Sequence, residues 1–111
     1  MKKILLVVLC VVLAVSFVGC GPKSESAENI ETGESAILFI DKYLDGEGGA
    51  DDTMGILDML ADDVVDEDGQ YGMLLRTWIS SAATDIFLAD NSGVLECRNE
   101  IAGIVGSDKR K

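Results

Sequence analysis

Residues 70–89 read QYGMLLRTWISSAATDIFLA, and how they fold decides the architecture of the whole chain. Tyr71, Leu74, Leu75, Trp78, Ile79, Ala82, Ala83, Ile86 and Phe87 return at three- and four-residue steps, the period of a helix with one buried side. The apolar stripe is wide, which predicts a helix at the centre of the fold with Trp78 and Phe87 in its core. Arg76 and Asp85 fall within the stretch, so a membrane span is not expected there.

Working outward, the same period returns three more times. Residues 34–45, ESAILFIDKYLD, place Ala36, Ile37, Ile40, Tyr43 and Leu44 on one face. Thr32 or Ser35 is the expected cap, and Gly46 the expected stop. A second helix opens at Asp51, Asp52 or Thr53, carries Met54, Leu57, Leu60, Ala61, Val64 and Val65, and ends in Asp66-Glu67-Asp68-Gly69. After a turn at 90–93, a fourth runs from Val94 to about Val105, with Cys97, Ile101 and Ile104 on its apolar face. Gly55, Gly72 and Gly103 each cost a helix about 1 kcal/mol relative to Ala. No stretch of five residues alternates apolar and polar side chains convincingly. The expected fold is therefore all-α, a small antiparallel bundle of about four helices occupying residues 34–106. Lys109, Arg110 and Lys111 close a basic tail, 107–111, expected to be a frayed cluster of charge or a contact for anionic headgroups.

The other end of the chain reads as an address. Residues 1–19 begin with Lys2 and Lys3, continue through an apolar run from Ile4 to Val18, and finish on Gly19, the pattern of an export signal. Phe17-Val18-Gly19-Cys20 resembles the lipobox of prokaryotic lipoproteins, with Phe17 where that pattern usually has an aliphatic residue. The resemblance implies that Cys20 is acylated, that the preceding peptide is removed, and that the product faces the extracytoplasmic side of a cell membrane or outer membrane. Without residues 1–19, which hold two lysines and no acid, 92 of the 111 residues remain, with 7 basic and 20 acidic side chains and a net charge of −13 instead of −11. Residues 20–33, rich in Gly, Ser and Glu with one isolated apolar residue, Ile30, read as a flexible tether.

Composition removes several kinds of chemistry. There is no histidine, the commonest general base and metal ligand. The acidic excess argues against nucleic acid, whose binding requires Lys and Arg against phosphate. Ser80 and Ser81 have no histidine to activate them. The acids at 41, 45 and 52 match an EF-hand calcium loop only in part, because Tyr43 stands where an oxygen ligand is needed. Cys97 shares a face with Val94, Ile101 and Ile104 and reads as a small buried residue, an intermolecular disulfide being the functional option. Met54, Met73 and Trp78 could line a groove for a helix or a lipid.

One further resemblance concerns the fold. The helix ending at Asp45-Gly46, followed by a second helix ending in acids, looks like the first third of small NTF2-like secreted or lipoprotein domains, which implies an α+β fold with several long strands to follow. It covers about 35 residues and carries no specific motif. The sequence thus predicts a lipid-anchored, non-enzymatic protein-interaction module with no cofactor and an envelope protein partner. A small-ligand or divalent-cation-binding lipoprotein is the alternative.

Overall fold

The structure is a computed structural model that describes residues 22–66 and 69–110. Residues 1–21, 67–68 and 111 lie outside it, so the export signal, Cys20 and Lys111 do too. Four helices follow one another: α1 Ala27–Leu44, α2 Ala50–Asp63, α3 Gln70–Phe87 and α4 Asn91–Val105. Among the described residues there is no strand, so the α+β expectation falls and the all-α bundle stands. Each helix packs against its neighbours in the chain, and α4 packs back on α1 to close the ring. With connections this short, consecutive helices run antiparallel.

Local signals explain most of the boundaries. The Asp90 side chain accepts the Gly93 N–H at the start of α4. At the end of α1 the Glu47 N–H donates to Lys42 O and the Gly46 N–H to Tyr43 O, with Gly46 at φ +79°. That paired closure needs a left-handed residue, which is why a glycine stops the helix. The same closure ends α3, where the Asp90 N–H reaches Asp85 O and the Ala89 N–H reaches Ile86 O. Here the left-handed residue is Ala89, at φ +55°.

The largest departure from expectation is at the N-terminal end. Helix α1 begins seven residues early, capped by Ser26 rather than Thr32 or Ser35, so residues 27–33 are bundle and not tether. Asn29, Thr32 and Gly33 are all buried. A Cβ added to Gly33 would collide with Val105 Cγ1, so the glycine sets how closely α1 and α4 approach. Residues 22–24 are docked as well: the Lys23 and Ser24 N–H groups both donate to Ile104 O, at 2.8 and 3.1 Å, and Pro22 lies against Gly106. The tether reading rested on the lack of apolar residues, and this segment is held by small and polar ones.

In α3 the buried face is Gly72, Leu75, Ile79, Ala82, Ala83 and Ile86, narrower than the sequence stripe. Phe87 lies 100° around the helix from Ile86 and is 74% exposed, so it is not core. Trp78 and Tyr71 are half-buried against the cluster. The helix packs most extensively against α2 and α4 and also touches α1 across the bundle.

A left-handed alanine carries a steric penalty that glycine does not. The Ala89→Gly variant is expected to gain about 1 kcal/mol, less the entropy glycine adds to the unfolded chain. Thermal melting should register it as a rise of about 4–8 °C per kcal/mol in a domain of this size.

Candidate functional site

Three polar assemblies sit on the bundle, and two of them begin with residues that the hydrophobic pattern does not mark, Arg98 and Asn29. The largest is on the α1–α4 seam. Arg98, on α4, is buried, and its guanidinium grips both oxygens of Asp41 on α1, Nε to Oδ1 at 3.0 Å and Nη2 to Oδ2 at 3.2 Å. Its Nη1 donates to the Asp108 carbonyl and to Asn99 Oδ1. The tail after α4 therefore doubles back along the bundle. Asn99 pairs with the backbone of Arg110 in both directions, each bond 2.8 Å, and the Arg110 guanidinium reaches Asp45 and Asp41. The Arg110 hydrogen bond holds the Asp45 carboxyl below the usual carboxylate range, and Asp45 in turn raises Arg110. The expectation of a frayed tail is thus corrected at Arg110, which is pinned; Lys111 lies outside the described residues.

The second assembly closes the α2–α3 connection. The Asn29 side chain pairs with the Val65 backbone, Nδ2 to O at 2.9 Å and Oδ1 from N at 2.8 Å. Arg76, from α3, donates to Ala61 O and Val64 O at the end of α2. No basic residue lies in α2's own last turn, so Arg76 supplies the positive charge its dipole favours. In the third, the Cys97 thiol donates to Asp85 Oδ2 at 3.5 Å. Burial first, and the Asp85 carboxylate second, push the thiol up to about 12. Cys97 is free and buried, the small core residue expected.

These placements bear on the candidate residues that lie among the described ones; Cys20 does not. Asp41 lies within α1 and, with Asp45, is already engaged by arginine, which leaves the calcium-loop pattern without its ligand arrangement. Among the described residues no three His, Cys, Asp or Glu side chains come together as a metal set. Ser80 and Ser81 lie along an open, shallow depression on α3 whose titratable groups are Arg76 and Asp85. Met73 faces solvent while Met54 and Trp78 pack against the core, so the three do not form one groove. No helix of the described residues is long and apolar enough to cross a membrane. Comparison with family models, with curated proteins and with solved structures finds no match.

Two measurements follow from this geometry. Asp41→Ala leaves the buried Arg98 without its carboxylate and should lower the unfolding free energy by about 3 kcal/mol, the low end for breaking a buried pair because Asp41 is partly exposed. Arg110→Ala, at the exposed rim, should cost under about 1 kcal/mol in the same urea titration. A thiol held near 12 is almost wholly protonated at neutral pH, so Cys97 should resist alkylation about a thousandfold relative to an ordinary thiol at 9.0. Because the unfolded chain loses that proton first, stability should also fall as pH rises above about 9.

Proposed function

We propose that the protein is a lipid-anchored lipoprotein of the cell envelope, held by Cys20 on the extracytoplasmic side, whose small acidic bundle works through protein contacts and not as an enzyme. The observation that carries this reading is the sequence Phe17-Val18-Gly19-Cys20 at the end of an apolar run that follows Lys2 and Lys3. An acylated residue at that position, with two or three chains, is enough for stable attachment, whereas one chain is marginal.

The docked N-terminal segment modifies the reading. Cys20 stands two residues before Pro22, which lies against Gly106. Two residues of extended chain span at most about 7 Å. The chain between a lipid on Cys20 and the docked Pro22 is therefore short, in place of a flexible tether running to residue 33. Arg110 is bonded to Asp45, at the far end of α1. The basic tail then points away from the anchored end, which favours a role in closing the bundle over contact with headgroups.

The test is Cys20→Ser in the full-length chain. Loss of the protein from the membrane fraction, or accumulation of a precursor that retains residues 1–19, is the expected result. Unchanged membrane attachment together with an unchanged mature mass would remove the lipoprotein reading.

A further inference from the structure

The neighbouring helices of the ring are not packed alike, and α1 against α2 is the least extensive pair. The space this leaves is a shallow groove, with Glu28, Glu31, Thr32 and Ser35 of α1 on one wall and Leu60 and Asp63 of α2 on the other. None of its three carboxylates is engaged by a basic group among the described residues. They also do not converge on one point as a metal set would. Large apolar side chains follow along the same two helices: Leu38 (53% exposed), a turn beyond Ser35, and Met59 (65% exposed), a turn before Asp63.

Internal packing does not account for one residue of this groove. Thr32 is only 9% exposed, yet its hydroxyl has no hydrogen-bond partner among the described residues. A helical threonine can return its hydroxyl to the carbonyl four residues earlier, and Thr53, Thr77 and Thr84 all do so here, at 2.7, 2.8 and 3.2 Å. Among the described residues no side-chain oxygen sealed from solvent lacks a partner, so the Thr32 oxygen opens on the groove that its residue lines. A hydroxyl oxygen has lone pairs to offer. With carboxylates around it, the donor that would fill them has to come from outside.

We propose that the α1–α2 groove docks a basic segment of a partner protein, with an arginine or lysine seated on Thr32 Oγ1 between Glu28, Glu31 and Asp63, and an apolar neighbour against Leu38 and Met59. The inference rests on the protein-contact reading above and names the chemistry of that contact. Charge complementarity selects the occupant. Helix α2 carries five aspartates and no basic residue, so the field over this seam draws cationic bodies and repels acidic ones. Carboxylates are the acceptors that a guanidinium or an ammonium matches. The shallow form of the groove selects a protein over a small cation, because a small ligand needs a concave site that takes most of its surface out of water. A segment borne on a larger body gains its remaining burial from the apolar side chains alongside.

The probe is an alanine-rich helical peptide of about 15 residues, with arginine on one face and leucine beside it, which more than covers the roughly 15 Å from Glu28 to Leu38 at 1.5 Å per residue. Calorimetric titration into the full-length chain in nonionic detergent should show binding that weakens as salt is raised. Glu31→Gln, at an exposed position, and Asp63→Asn should each weaken it about fivefold. Thr32→Val should weaken it about threefold or more. Asp58→Asn removes the same charge at a point about 140° around α2 from Asp63, off the groove, and should change affinity by less than about twofold. Equal losses in Asp58→Asn and in the groove variants would mean attraction to net charge alone and overturn the proposal. The absence of binding up to about 1 mM peptide would overturn it too. Spermine is the second arm: if it displaces the peptide at concentrations similar to the peptide's own, the groove is a small-cation site and the partner protein falls. Should Thr32→Val perturb folding, Glu31→Gln still decides the question. The Cys20→Ser chain should bind the peptide unchanged, so failure of the lipid anchor and failure of this groove register separately.

Discussion

The first and last helices have to meet for this core to be closed, and their seam is where every long-range demand of the fold is concentrated. Neighbouring helices are brought together by connections of a few residues, so their pairing needs little loop closure. Helix α4 reaches α1 only after the intervening chain is in place, and the contact must then hold at several levels at once. Gly33 against Val105 fixes the separation, Asp41 with Arg98 fixes the register, and the Lys23 and Ser24 N–H groups extend the seam past the start of α1. A bulky residue at 33 or an unpaired charge at 98 would open the ring at its least local point. The rest of the packing depends on it being shut.

The core that this closure protects is built from modest side chains. Ile40, Leu57, Leu75, Ile79 and Ile101 are its largest fully buried members, and alanines at 36, 61, 82, 83 and 102 fill the narrower places. Among the described residues no aromatic ring is fully buried; Tyr43, Tyr71 and Trp78 pack from the edge of the core. A domain this small has limited apolar area to bury, and here polar side chains act as long-range ties. Asn29 and Asn99 each pair an amide side chain with a distant backbone in both directions, as a short piece of sheet would. Among the described residues no buried side-chain nitrogen or oxygen lacks a partner, so these ties carry no desolvation penalty left uncompensated.

This division explains what the sequence disclosed. The four helices were legible because apolar residues return with period 3.6, and Gly46, Asp90 and Gly106 punctuate them where a turn or cap requires it. The early start of α1 was not legible, since Asn29, Thr32 and Gly33 are the residue types of a linker and become core only because α4 and Val65 are beside them. Phe87 was misread for the opposite reason: its type says core, while its angle from Ile86 turns it to solvent. Nothing in the local pattern marks Arg98 or Arg110 as ties, because their partners, Asp41 and Asp45, lie more than fifty residues away. An apolar period marks burial that one helix can specify by itself. It is silent about ties whose two halves lie on different helices.

The arginines and lysines divide along the same line, and the division shapes the field around the protein. Arg76, Arg98 and Arg110 all bond to carbonyls or carboxylates of the fold, where the planar guanidinium can serve several acceptors together. Lys23, Lys42 and Lys109 remain exposed as the described basic groups not used in that way, and Lys42 lies over the Phe39 ring on its own helix. Asp41 and Asp45 are neutralised in the clasp along with their arginines, but the aspartates of α2 have no such partners among the described residues. The surface is consequently uneven, strongly negative across α2 and close to neutral along α3. Long-range repulsion turns away acidic bodies from the first face, while the second presents hydroxyls and large apolar side chains with one charge of each sign.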